Sequence, residues 1–211
     1  MICVSLNEKT VNSTIKLLKK DLFFEVRLDL IENLDMKGLN KILNINKKII
    51  VAFRPGKGEE NPRIKYLLTA MDMHVKFVDI EFESDRNTIK EIVNKGKTTE
   101  TNIIISYHNF KETPAYEDLV FIVNECRELG ADIIKIATFI KEKQDNIKLL
   151  KLLEKGGNIV IAGMGEKGKV SRVMSVLLGS PFTYASVAKG KETAKGQIDF
   201  DKMEELLKEL S

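Results

Sequence analysis

Phe23-Phe24-Glu25-Val26-Arg27-Leu28-Asp29-Leu30 is the stretch from which the fold is read. Phe24, Val26, Leu28 and Leu30 share one parity, and Glu25, Arg27 and Asp29 share the other. An extended chain with this pattern has one apolar face and one charged face. On either side of it, β-branched or aromatic runs recur at 2–6, 48–53, 76–82, 102–107, 133–137, 158–162 and 182–186, and this one covers 23–28. Amphipathic stretches lie between them, best developed at 11–20, 88–95, 116–129, 147–154, 170–178 and 201–210, with short helices expected after the second and third strands. Strands spaced by helical patterns form βα units around a parallel sheet. Eight units in 211 residues approach the lower size limit, roughly 200 residues, of a (β/α)8 barrel. The expected fold is therefore α/β, a single (β/α)8 TIM barrel with a parallel eight-stranded sheet, spanning 1–211 without a linker or low-complexity tract.

In a barrel one strand parity faces the helices and must be apolar, while the other faces the lumen. The charged parity of 23–30 therefore points inward. By the same test Asp79 and Glu81, Ser106 and His108, Lys135 and Ala137, Cys3 and Ser5, and Arg54 beyond the third strand all face the lumen. Barrel interiors are normally filled by branched apolar side chains, so charge concentrated there is costly unless it is paired or used. Arg27, Arg54 and Lys135 nearly balance Glu25, Asp29, Asp79 and Glu81, and most lie near the C-terminal strand ends, where such barrels carry their active sites.

Two of these residues suggest chemistry. Lys135 lies in Ala-Asp-Ile-Ile-Lys-Ile-Ala-Thr, and a desolvated lysine in its amine form attacks a ketone to give an iminium, an electron sink that acidifies the neighbouring carbon. The alternative is a structural salt bridge to Asp79 or Glu81. His108 ends Ile-Ile-Ile-Ser-Tyr-His and is placed for proton transfer, the alternative being a hydrogen-bonded lumen histidine. His74 precedes the fourth strand, at the face associated with stability, where a core or capping role is expected.

The 34 Lys+Arg and 31 Asp+Glu leave a net charge of +3, too little for a nucleic-acid-binding stripe and suited to a small anionic substrate. Cys3 and Cys126 have no motif spacing, which implies a reduced, cytoplasmic setting without disulfides or a zinc site. No leader pattern opens the chain and no apolar run nears ~18 residues, so no membrane partner is expected. A metal site on His108 with Asp79 or Glu81 is disfavoured by the nearby lysine. Gly163-Met-Gly165 and Gly179-Ser180 fit either a phosphate site or tight turns. The loop 189–197 is either a lid over the barrel mouth or a solvated connector.

Taken in order, Glu25-x-Arg27-x-Asp29, Phe53-Arg54, Asp79-x-Glu81, Ser106-x-His108-x-Phe110 with Thr113-Pro114, Lys135-Ile136-Ala137, Ser171-Arg172, Gly179-Ser180 with Thr183, and Ala194-x-Gly196-Gln197 resemble type I 3-dehydroquinate dehydratase. The resemblance covers nearly the whole chain. It implies a shikimate-pathway hydro-lyase that converts 3-dehydroquinate to 3-dehydroshikimate through a lysine Schiff base, with no metal or organic cofactor. Lys135 matches the Schiff-base lysine and His108 the general acid/base. Arg172, Thr193 and Gln197 match the grip on the substrate carboxylate, and Ser5, Glu25, Arg27 and Arg54 the grip on ring hydroxyls. The resemblance also implies a homodimer. Arg63, Arg86 and Arg127 are read as surface residues.

There are departures from the family pattern. Where the family usually has a histidine-orienting glutamate, Gly58 stands, and Glu59 beside it is the expected substitute, with Glu60 next. Thr193 replaces a serine, Lys195 replaces a proline, and the N-terminal hairpin of larger members is lacking. The rival readings are a class I aldolase acting on a sugar phosphate, which would also use Lys135, and a barrel that binds the metabolite without turning it over.

Overall fold

In the computed structural model, residues 1–18, 21–54 and 61–210 are described. The alternating stretches form β1 (Ile2–Leu6), β2 (Phe23–Arg27), β3 (Ile49–Ala52), β4 (Phe77–Glu81), β5 (Asn102–Asn109), β6 (Ile133–Phe139), β7 (Ile159–Met164) and β8 (Thr183–Ser186). Between and after them run α1 (Val11–Leu18), α2 (Met36–Leu43), α3 (Asn61–Asp72), α4 (Arg86–Thr99), α5 (Tyr116–Glu128), α6 (Lys143–Lys151), α7 (Lys169–Leu177) and α8 (Phe200–Leu210). Lys19 and Lys20, the expected end of the first helix, lie outside the described residues.

All strand pairs are parallel, in the order β7-β6-β5-β4-β3-β2-β1-β8 followed by a short strand at Ile198–Asp199. The sheet thus has a ninth member, β9 (Ile198–Asp199), which pairs with β8; two residues are too few to give a sequence signal. Among the described residues no ladder joins β7 to β8, and side-chain and loop bonds bridge that seam. Ser180 Oγ donates to the Ile159 carbonyl at 2.8 Å, and the Gly165 amide donates to the Lys195 carbonyl at 2.8 Å. The fold is the expected α/β barrel.

Other elements differ from expectation in extent. The second strand stops at Arg27, and Leu28–Leu30 turns into a 3-10 helix, so Asp29 is not a strand residue. The third helix is not short, with 12 residues. α4 begins at Arg86 because Asp85 caps it, accepting from the amides of Asn87 and Thr88, which satisfies donors otherwise orphaned at a helix start. α6 begins at Lys143 on a capping box formed by Glu142 and Asp145. β5 and β6 run on through His108↔Ala137 and Asn109↔Thr138. Polar residues at those ends hide the strand from a search for apolar alternation, but each extends the ladder.

The lumen is built in layers. At its floor Cys3, Ile50, Ile104, Ile133, Val160, Phe182 and Tyr184 form a buried cluster with Phe23 and Phe77 packed against it. Edge-on ring contacts at 5.4–5.5 Å link Phe23 to Phe77 and Phe182, and Phe182 to Tyr184. Two residues further along β1, β2, β4, β5 and β6 the same parity delivers Ser5, Glu25, Asp79, Ser106 and Lys135. The apolar floor closes one end of the lumen and leaves the charged layer facing the other.

Candidate active site

Above the floor lies a cavity of about 580 Å³. Every described member of the predicted set lines it: Ser5 from β1, Glu25 and Arg27 from β2, Arg54 just beyond β3, His108 from β5, Lys135 from β6, Arg172 from the first turn of α7, and Thr193 and Gln197 from the loop after β8. Glu59, like Gly58 and Glu60, lies outside the described residues.

Lys135 is 5% exposed. Its Nζ donates to Glu25 Oε1 and to Asp79 Oδ2, both at 3.0 Å, and sits 4.1 Å from the centre of the Tyr184 ring. The salt-bridge alternative is thus realised in part, with Glu25 as the second carboxylate in place of Glu81. Glu25 is held from its other side by Ser5 Oγ at 2.9 Å.

Asp79 also accepts from Ser106 Oγ at 2.6 Å and from Arg54 Nη2 at 3.2 Å. Burial alone would raise its pKa, but Arg54 and Lys135 outweigh that and hold the carboxyl well below the usual range. Arg54 Nη1 donates to Glu81 Oε1 at 2.6 Å and to Ser106 Oγ at 3.0 Å. Burial disfavours its charge as well, yet Asp79 and Glu81 keep the guanidinium above its ordinary value. Arg27 forms a two-nitrogen fork on Asp29, at 2.9 and 2.6 Å, and Asp29 also accepts from the Arg54 amide at 3.2 Å. Asp29 therefore joins two arginines from its turn, not from a strand.

His108 lies two residues beyond Ser106, which is paired with Lys135, so imidazole and amine project the same way from neighbouring strands. Burial, then the charges of Arg54 and Lys135, push its pKa well below that of a free histidine, against a smaller opposing pull from Asp79. At neutral pH the ring is an uncharged base. It stacks on Phe110, with 6.0 Å between centroids and 13° between planes, and Phe110 is 73% exposed at the mouth.

Arg172 is 2% exposed, and its Nε donates to the Gly163 carbonyl at 2.7 Å. Burial lowers its pKa to about 10, with only a partial counter-effect from Glu25. A guanidinium held this deep beside a backbone carbonyl has a strong demand for an anion. Opposite it, Gln197 Oε1 accepts from the amide and hydroxyl of Thr193 at 2.8 and 3.2 Å. The loop carrying them passes the end of β7 at Gly196 (φ 78°), where a Cβ would collide with the Gly165 carbonyl oxygen. The amide of Gly165 is used by Lys195 and that of Gly168 by the Gly165 carbonyl at 2.9 Å. These glycines serve turns and close packing.

Sequence reading missed several liners, chief among them Arg63. It is no surface residue: it is 5% exposed, lines the cavity from the first turn of α3, and ion-pairs with Glu81. The signal available was its place in a helix start, at the barrel end where the site lies. Arg86 and Arg127 are on the outside, as expected. Tyr184 shares lumen parity with Phe182, and Glu83, Ser84 and Met164 complete the wall. His74 is exposed, with φ 58°, and closes α3 through its amide to the Met71 carbonyl at 2.8 Å, a capping role and not a core one. Among the described residues, no group of three or more His, Cys, Asp or Glu side chains is arranged for a metal ion, and no helix is long and apolar enough to cross a membrane.

The family model for type I 3-dehydroquinase matches residues 2–211. The chain belongs to the type I 3-dehydroquinase family. It is 35% identical to a 3-dehydroquinate dehydratase of Methanococcus vannielii over 98% of each chain, and 37% identical to one of Methanocaldococcus jannaschii over 98% of this chain and 97% of that one. Among solved structures it superposes on the type I enzyme of Clostridium difficile, solved with covalently modified comenic acid, with a TM-score of 0.84, 28% identity, and 99% of this chain and 91% of that one covered. For the Aquifex aeolicus 3-dehydroquinate dehydratase the TM-score is 0.85, with 28% identity and 99% and 98% coverage. As a member of this family the chain is a hydro-lyase.

Proposed function

We propose that this cavity dehydrates 3-dehydroquinate to 3-dehydroshikimate through an iminium on Lys135, with His108 moving the proton. The observation that carries the reading is the meeting of a lysine Nζ and an uncharged imidazole in one cavity beside an arginine that has no carboxylate partner among the described residues. Glu25 and Asp79 hold Nζ toward the lumen axis. Lys135 Nζ attacks the C3 carbonyl, and the carbonyl oxygen leaves as water with two protons drawn from the Lys135 ammonium, which leaves the iminium. His108 then takes a C2 proton, and the C–H electrons move into the iminium to give an enamine. When the enamine electrons return, the C1–OH bond breaks, and the proton held by His108 leaves with that hydroxyl as water. Hydrolysis of the conjugated iminium releases the enone and frees Lys135, so the net change is loss of one water.

Arg172 supplies the cation for the substrate carboxylate, and over it close Gln197 and Thr193, whose amide and hydroxyl here donate to Gln197 Oε1. Ser5, Glu25, Arg27 and Arg54 take ring hydroxyls, a planar guanidinium being suited to paired oxygens. By family resemblance the chain works in the cytoplasm, as a homodimer, on the route to aromatic compounds. Incubation with 3-dehydroquinate should produce the ultraviolet absorbance of a conjugated enone; no absorbance change with folded protein would reject the activity.

A further inference from the structure

Glu81 stands between two arginines. Its Oε1 accepts from Arg54 Nη1 at 2.6 Å and its Oε2 from Arg63 Nη2, which also donates to Ser84 Oγ at 3.0 Å. Arg63 uses that one nitrogen for both bonds, while its Nε is buried with no partner among the described residues. A guanidinium frequently meets a carboxylate fork to fork, and a buried N–H left without an acceptor keeps the full cost of its desolvation. Arg63 therefore has an unused donor next to the one it spends on Glu81, while the other oxygen of Glu81 is committed to Arg54.

We infer that Arg63 is a positioning residue that takes over Glu81 when Arg54 turns to a ligand oxygen. The inference rests on the reading of Arg54 given under Proposed function. As Arg54 Nη1 releases Oε1 to meet the ligand, Glu81 rotates onto the Nε and Nη2 of Arg63, so its buried charge is never left unpaired. Without Arg63, Glu81 has only Arg54 among the described side chains, and the ligand must compete with a carboxylate for it. The loss then falls on binding, not on the chemical step at Lys135 and His108.

The test is steady-state kinetics on 3-dehydroquinate for Arg63→Gln, Arg63→Lys, Glu81→Gln and the Arg63→Gln/Glu81→Gln pair, with circular dichroism to check folding. Arg63→Gln should raise KM about tenfold and change kcat less than about threefold. Arg63→Lys, which keeps the charge but not the fork, should fall between it and the natural protein. In the double variant the competing carboxylate is gone, so KM should return toward the natural value, a suppression that simple loss of packing would not give. If Arg63→Gln does not fold, Arg63→Lys and the double variant carry the comparison. An unchanged KM in Arg63→Gln or Arg63→Lys, or a double variant worse than either single one, would overturn the inference. If the natural protein turns over no substrate, the functional reading fails; normal turnover with unchanged KM in the variants fails this inference alone.

Discussion

Burial, together with Arg54 and Lys135, keeps a proton off His108, and the same two cations hold Asp79 ionised. One charge cluster thus sets the lysine in place and keeps the imidazole available as a base. The sign of the resulting pH dependence follows. The folded pKa of His108 lies below the unfolded value of about 6.5, so as pH falls through that region the unfolded chain takes up its proton first and stability drops. His74 and His108 are the only histidines, and with His74→Asn, a residue that tolerates φ of 58° there, one imidazole signal remains. Its proton NMR titration should have a midpoint below about 6.5; a midpoint above that would mean that Asp79 dominates the histidine's surroundings.

At the scale of elements, strands were legible because period two separates the helix-facing parity from the lumen-facing one, and the same test brought Glu25, Arg54, His108 and Lys135 into one cavity. What it missed has physical reasons. Asp29 leaves the alternation because the chain turns at Leu28. Arg63 reaches the lumen from a helix start, where side-chain direction depends on how α3 docks and not on its own period. β9 is two residues long, and its pairing with β8 depends on where the closing loop is pinned. That pin is a specific point of weakness. Gly196→Ala places a methyl group against the Gly165 carbonyl at a positive φ, a strain of about 1–3 kcal/mol. The loop should lift from β7 and take Thr193 and Gln197 from Arg172, raising KM at least about fivefold with Lys135 still able to form an imine. Kinetics of the variant indistinguishable from those of the natural protein would show that this crossing does not hold the loop.

For the whole molecule, an aromatic and aliphatic floor closes one end of a parallel barrel, a layer of paired charges lies on it, and arginines from strands, a turn and helix starts converge on the space above. Such a charge layer is costly to bury, and its members are satisfied mainly by one another, in a chain from Arg63 through Glu81, Arg54, Asp79 and Lys135 to Glu25 and Ser5. The central claim is that one amine in this layer, and no other, becomes covalently bound to substrate. Reduction with borohydride in the presence of 3-dehydroquinate, followed by peptide mass mapping, tests it directly. The account predicts one added ligand mass, on the peptide carrying Lys135 and absent without substrate; a label on any other lysine, or none while turnover proceeds, would contradict it.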